Sequence, residues 1–293
     1  MTWLVVVVCA VVLAALGALV YWHLIIAEGA YMGPRAVAWT YDLVARRYDA
    51  IKQFAPGDED WFVAAPLWRG LVGVERPLLL DVATGTGRVP LALMRNRFAV
   101  AGGQIVGLDL SREMLRQARA NLRDYSDRVS LVWQDASRLP FDDGAFDAVT
   151  CLEAVEFLPN PREALVEMVR VLAPGGLLMV TNRVGRAARL LPGRTFSRPL
   201  FRRTLAALPL HDVETRAWQA DYDLATARKV GSGDPAGRGG VSLASLLRCP
   251  VCREHVEQPI SRLVLVCAGC GRVFPIREGI VALAEEKEQG DRQ

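Results

Sequence analysis

Four cysteines in two C-x2-C pairs, Cys249 with Cys252 and Cys267 with Cys270, are separated by 14 residues and form the sharpest chemical signal in the chain. Four thiolates at this spacing make the tetrahedral all-sulfur site that zinc prefers in structural centres, with no position left open for substrate. Disulfides are the competing reading. A module of about 40 residues is too small to hold itself together without a staple, and on a cytosolic face its thiols would stay reduced. Structural Zn2+ is therefore expected on these four residues. Cys9 lies in an apolar run and Cys151 in a strand pattern, so neither is assigned to the metal.

The second signal is LLLDVATGTGRV, with Asp81 at the end of a strand pattern and Gly85 and Gly87 in the turn that follows. Glycines there let the backbone approach a ligand, and the next helix offers free N–H groups. Two cofactor classes compete, a dinucleotide and S-adenosylmethionine. A dinucleotide site wants Gly or Ala at the third small position, where Pro90 stands, and the acidic Asp81 repels pyrophosphate while suiting a cationic ligand. Asp109 ends the next strand pattern, IVGLDL, at the distance where a carboxylate accepts hydrogen bonds from ribose hydroxyls. Asp135 ends a third, VSLVWQD, so three consecutive strand ends carry a carboxylate on the ligand-binding edge.

These residues need a parallel sheet to bring them together. From Pro77 onward, LLLDVA, QIVGLDL, VSLVWQD, AFDAVTCLE and GLLMVTN alternate with helical stretches such as REMLRQARANL and PREALVEMVRVL, the pattern of a doubly wound α/β sheet. Ahead of it, Trp3 to Trp22 is an unbroken apolar run, and no charged side chain appears before Glu28. Twenty helical residues cover about 30 Å, the thickness of the hydrocarbon core, so a transmembrane anchor is expected. No Lys or Arg precedes the run and its length exceeds a signal-peptide core, which argues against cleavage. Arg35, Arg46, Arg47 and Lys52 follow it, which places the bulk of the chain on the cytoplasmic side. AVAWTYDLVARRYDAI then carries helical spacing through Val37, Leu43, Val44 and Ile51. The expected organisation is an anchor over 1–27, an α/β domain over 35–230, a Gly-rich linker over 231–241, a four-cysteine domain over 242–284 and a charged, disordered tail over 285–293.

LLLDVATGTGRV, VGLDLSREML, VWQDASRLPF, FDAVTCLEAVEFL and RVLAPGGLLMVTN, in this order and spacing, resemble the class I S-adenosylmethionine-dependent methyltransferases over roughly residues 40 to 230. The branch is that of the ubiquinone/menaquinone C-methyltransferases and type 11 methyltransferases. The resemblance implies a doubly wound, mostly parallel Rossmann-like sheet of seven strands between the transmembrane helix and the zinc ribbon. It implies that Asp81, Ala83, Gly85 and Gly87 surround the methionine end of the cofactor and that Asp109, with Leu110 after it, holds the ribose. Asp135 and Ala136 then border the adenine with Met114 against it, and Cys151 and Glu153 stand where cofactor meets substrate. Ala83 takes the place of the commoner glycine. LLRCPVC through VCAGCGRVFPIREGIVAL resembles the small zinc-ribbon family that activates several methyltransferases as a separate chain, which implies activation in cis here.

Methyl transfer from a sulfonium is an in-line displacement in which positioning supplies most of the catalysis. A base is needed only for a protonated nucleophile, and Glu153, Glu156, Tyr41, Tyr48 and His211 are candidates without a sharp motif, so no catalytic residue is assigned. Tyr41 and Tyr48 fit a segment that covers the cofactor in relatives. Between Met168 and His211 stand Arg170, Arg183, Arg186, Arg189, Arg194, Arg198, Arg202 and Arg203 with no acidic residue. A membrane-facing lid, an ordinary solvated face and an anion pocket are all compatible with that run. The whole chain has 35 basic and 32 acidic residues, a net charge of +3, which gives no strong nucleic-acid signal. The expected partners are a small, lipophilic, quinone-like substrate and a membrane. RNA or protein methylation, with the ribbon as reader, and a non-catalytic docking module remain alternatives.

Overall fold

The computed structural model describes residues 2–53, 55–234, 236–259 and 263–285. The charged tail expected beyond Ala284 lies outside the described residues apart from Glu285. The chain opens with a helix over Thr2–Tyr21 that continues through a π-helical turn, Trp22–Ile26, and none of this 25-residue stretch is buried. By length and composition it can cross a membrane. A tight corner follows at residues 27–33, and the helix Pro34–Lys52 begins with proline at its first turn, where a missing N–H costs nothing.

The sheet contains β1 (Leu78–Val82), β2 (Gln104–Asp109), β3 (Val129–Trp133), β4 (Phe146–Cys151), β5 (Leu172–Arg183), β6 (Leu210–Trp218) and β7 (Tyr222–Lys229). Four short strands of the cysteine domain add to it: β8 (Val256–Glu257), β9 (Val264–Cys267), β10 (Val273–Arg277) and β11 (Ile280–Ala282). The spatial order is β6-β7-β5-β4-β1-β2-β3-β11-β10-β9-β8. Strands β1 to β5 pair in parallel, while β7 runs antiparallel between β5 and β6. The seven strands expected from the resemblance are thus present, and the cysteine domain lengthens the same sheet to eleven. Every residue of β1 is buried because helices cover both faces of a parallel sheet, which is why LLLDV reads as a continuous rather than an alternating apolar run. Leu78, Leu80 and Val82 enter one core cluster and Leu79 the other.

The cysteine domain joins the fold through backbone and core together. Strand β11 pairs in parallel with β3, Ile280 against Leu131 through Ala282 against Trp133, and so covers an edge that would otherwise expose unpaired N–H and C=O groups. Leu247, Cys249, Val256, Leu265, Cys267, Phe274 and Val281 belong to the same buried cluster as Phe141 and Phe146. The Gly-rich stretch before it is pinned rather than slack. The Arg238 side chain reaches Asp147 Oδ1 at 3.0 Å, Gly239 N donates to Arg76 O at 2.8 Å, and Gly240 N donates to Gln104 Oε1 at 2.7 Å.

Candidate functional site: a cofactor cleft and a four-thiolate centre

At the end of β1 the chain turns through Ala83, Gly85 and Gly87, with φ of 55°, 56° and 82°, into the helix Arg88–Met94. Glycine adopts that left-handed region freely, whereas for Ala83 it costs about 1–2 kcal/mol, strain of the kind that gathers at ligand sites. Asp81 is 2% exposed; its Oδ1 accepts from Thr150 Oγ1 at 2.6 Å and its Oδ2 from Thr84 Oγ1 at 2.7 Å. Burial pushes this carboxyl up to about 6, against the pull of the two hydroxyls and of Arg88. A buried carboxylate with neutral hydrogen-bond donors is one that a cationic ligand would stabilise in its charged form.

A cleft opens along the carboxyl ends of β1, β2 and β4. Ala83, Gly85, Asp109, Leu110, Met114, Asp135 and Ala136 all line it. Asp81 lines an adjoining recess with Thr84, Thr86 and Arg88, and Ala83, Gly85, Tyr48 and Glu153 border both. Gly87 and Cys151 line neither. Gly87 caps the following helix, and a Cβ there would sit 2.7 Å from Leu122 Cδ1, so its role is close packing. Cys151 is wholly buried at the end of β4, and that burial drives its thiol well above the ordinary range.

Asp109 Oδ2 accepts from Gly85 N and its Oδ1 from Ser111 N, each at 2.8 Å, which ties the glycine turn to the end of β2. Burial raises this carboxyl, with the N–H groups of Ser111, Gly85 and Leu110 opposing. Asp135 Oδ1 caps its own turn, accepting from Ser137 N at 2.7 Å and Ser137 Oγ at 2.6 Å.

Pro34, Val37, Ala38, Tyr41 and Tyr48 supply the facing wall, all from the helix Pro34–Lys52. Two aspartates hold this lid down. Asp42 Oδ1 accepts from Ser111 Oγ at 2.5 Å, and Asp49 accepts from Thr86 Oγ1 at 2.5 Å and Asn121 Nδ2 at 2.9 Å. Tyr41 donates to Glu28 Oε2 at 2.6 Å, and burial drives its phenol well above the ordinary range. Tyr48 is likewise raised by burial.

A charge cluster not read from the sequence closes the far end. Glu153, at φ 54°, binds Arg88 Nη1 at 2.7 Å through Oε1 and Lys52 Nζ at 3.0 Å through Oε2. Burial pushes Glu153 up, but Arg88 and Lys52 outweigh it and hold the carboxyl below its ordinary value. Arg88 also lies 3.4 Å from Glu59 and stacks over Trp218. Five separate stretches of chain converge here, and no spacing rule could have joined them. Glu156 stands outside the cleft: it accepts from Tyr222 Oη at 2.8 Å, with Arg183 at 3.8 Å, and burial raises it. His211 lies on β6 beside Asp212, away from the lining residues. The arginine run is dispersed. Arg170 binds Glu167 and Asp143, Arg198 binds Asp223, and Arg194 reaches the carbonyls of Ala30, Leu158 and Pro159.

The Sγ atoms of Cys249, Cys252, Cys267 and Cys270 lie within 4.8 Å of one another, with Cys252 to Cys267 at 3.3 Å and Cys249 to Cys270 at 3.7 Å. Bonds of about 2.3 Å from a tetrahedral zinc put sulfurs about 3.8 Å apart, so the donor set fits the ion, and no pair is at disulfide distance.

Residues 80–180 match the family described as a methyltransferase domain, and residues 242–279 match the Trm112p-like proteins. Residues 80–180 thus carry a methyltransferase-domain fold, and a Trm112p-like region is fused behind it. Demethylmenaquinone methyltransferase of Clavibacter sepedonicus is 37% identical over 149 residues, 50% of this chain and 58% of that protein. The ubiquinone/menaquinone biosynthesis C-methyltransferase UbiE of Geobacter sp. (strain M21) is 36% identical over 141 residues, 47% of this chain and 58% of that protein. The chain thus spans 58% of the length of both relatives. Among solved structures, the [4+2]-cyclase SpnF superposes with a TM-score of 0.56 at 23% identity, over 68% of this chain and 97% of that one. At that identity the likeness is of fold alone, and the cyclase is not named for methyl transfer.

Proposed function

We propose that the chain moves a methyl group from S-adenosylmethionine to a quinone-like, lipid-phase small molecule at a membrane surface, with the α/β domain on the cytoplasmic side. One observation carries the reading. The helix that lids the cofactor cleft, Pro34–Lys52, is joined by a short corner to the apolar, unburied helix Thr2–Ile26, so the cleft sits beside the point where an anchor would leave the bilayer. The two quinone-pathway relatives support the substrate class. Their names state what those proteins act on, and the same chemistry fits a cleft walled by Val37, Tyr41 and Phe157.

In this reading Asp81 and Gly85 take the cationic methionine end, Asp109 accepts from the ribose hydroxyls, and Asp135, Ala136 and Met114 enclose the adenine. When bound, the cofactor supplies a methyl group on a positively charged sulfur. The chain supplies position and charge. The lid excludes water, and Tyr41 and Tyr48, held protonated by burial, wall the acceptor side without acting as bases. Glu153, held ionised by Arg88 and Lys52, is a poor general base and a fixed negative charge beside the recess. The Trm112p-like domain acts in cis as a stabiliser of the β3 edge. Among the described residues none of its side chains lines the cleft, which favours this role over reading a substrate.

The test is incubation of the full chain with methyl-tritiated cofactor and membranes of its own source, followed by counting. Label in the solvent-extractable fraction is expected. Label confined to the acid-precipitable fraction would instead assign a macromolecular substrate, and intact cofactor binding with no label in either fraction would favour the non-catalytic docking module.

A further inference from the structure

The lid helix has two faces of opposite character, and among the described residues the outer one has no protein against it. Its acidic residues, Asp42 and Asp49, both turn inward, onto Ser111 and onto Thr86 and Asn121. Its outer face exposes Arg35, Arg46 and Arg47 together with Trp39 at 53%, Leu43 at 67% and Ile51 at 62% exposure. Spacings of three and four residues place Arg35, Trp39, Leu43 and Arg46 on one stripe, with Arg47 and Ile51 beside it. Exposed tryptophan and aliphatic side chains flanked by arginine are the composition of a helix lying in a lipid headgroup layer; Asp42, four residues before Arg46, is engaged by Ser111.

The corner between the apolar helix and the lid is packed rather than loose. Gly29, at φ 78°, stands so close to the next helix that a Cβ would meet Ala36 C at 2.9 Å. Tyr31 donates to Pro192 O at 2.8 Å and lies under the Arg194 guanidinium, which also binds Ala30 O. The lid is therefore held in a set orientation to the helix that precedes it.

We propose that the outer face of Pro34–Lys52 docks on an anionic bilayer, with Trp39, Leu43 and Ile51 at the level where headgroups meet acyl chains and Arg35, Arg46 and Arg47 on lipid phosphates. The occupant is argued from continuity with the apolar helix and from the three exposed arginines, Arg35, Arg46 and Arg47, that flank the apolar side chains. The proposal rests on the membrane reading above. One amphipathic helix then has the cofactor on one side and the membrane on the other, so a lipid-phase acceptor meets the cleft without crossing bulk water.

The full chain is reconstituted into nanodiscs of phosphatidylcholine with or without phosphatidylglycerol, in which part of the lipid carries bromine near the carbonyl end of the acyl chain. The Trp39 emission is taken as the difference between the parent and Trp39→Phe, both first shown to bind S-adenosylmethionine equally as a check of fold. In anionic discs bromine is expected to quench that difference roughly twofold or more, as for a side chain lying about 5–10 Å into the boundary. Most of the quenching should disappear in phosphatidylcholine alone and in the variant with Arg35→Ser, Arg46→Ser and Arg47→Ser. A Trp39 signal blind to bromine in anionic discs overturns the proposal, and equal quenching in the triple variant overturns its electrostatic half. Failure of the anchor reading is seen separately, as a chain that does not co-elute with discs. Failure of the methyl-transfer reading is seen in the label experiment.

Discussion

Cofactor affinity should turn on the ionisation of Asp81, and the size of the effect follows from its surroundings. Burial sets its carboxyl near 6 in the free protein, above the ordinary 3.8. For the free fold the sign is that of a raised acid. Stability from this group is fully present below the ordinary value and is lost as pH rises through about 6, because the folded state must then hold a buried charge. A cation in the recess reverses that balance and binds the ionised form. About 90% of the sites are ionised at pH 7 and about 10% at pH 5, so S-adenosylmethionine affinity should fall about tenfold over that interval, about 1.4 kcal/mol. Asp81→Asn keeps the shape, removes the charge and should weaken binding at pH 7.5 by about 10- to 100-fold, the range for a hydrogen bond to a charged group. It should also flatten the profile between pH 5 and 7. Isothermal titration calorimetry across that range reads both effects. A flat profile in the parent, or a slope in Asp81→Asn equal to the parent's, would refute the placement of the cationic end of the cofactor at Asp81.

Three further outcomes follow from packing and metal chemistry. Elemental analysis should find one zinc per chain. Because Cys249 and Cys267 share a buried cluster with Phe141, chelation should lower the melting temperature of the whole α/β domain, and a separate, unaffected main transition would refute the shared core. Leu247→Ala removes a fully buried side chain from the cluster it shares with Phe141 and should cost about 2–5 kcal/mol in urea unfolding; a loss below about 1 kcal/mol would mean that the domain is only tethered. Ala83→Gly should stabilise by up to about 1 kcal/mol by relieving a left-handed alanine, whereas Gly87→Ala, which meets Leu122, should destabilise by more than about 1 kcal/mol; the same urea titration compares them.

The parallel sheet and its ligand edge were legible because both obey short-range rules. A strand covered on two faces is apolar throughout, and an aspartate at the end of such a run must fall at the carboxyl edge of the sheet, as Asp81 and Asp109 do. The cysteine spacing was legible for the same reason, since C-x2-C is the geometry of one turn. What failed to show is whatever depends on elements distant in sequence. The cluster in which Glu153 binds both Arg88 and Lys52, with Glu59 beside Arg88, is one such case. Another is the fate of the arginine run, whose members are close in the chain and go to different partners in space. Strand β11 is three residues long and contains nothing that marks β3 as its neighbour, so the continuous sheet could not be read either.

The lid helix shows how a correct period can still mislead. Its apolar spacing through Val37, Leu43, Val44 and Ile51 predicts a helix, and the helix is there. The usual rule would turn those residues toward the core, yet only Val37 lines the cleft, while Leu43 and Ile51 are more than half exposed. The inner face carries Tyr41, Asp42, Tyr48 and Asp49 instead. A lid must present polar groups to a polar cofactor and to the turn that holds it, which leaves the aliphatic residues to the outside. In a wholly soluble domain that inversion would be a liability, because exposed apolar side chains flanking tryptophan invite association. Next to an apolar helix of membrane-spanning length it accords with the proposed docking, in which each face of Pro34–Lys52 would meet the phase its side chains suit. Period therefore identifies the element, but the chemistry on each side of it decides which way it faces.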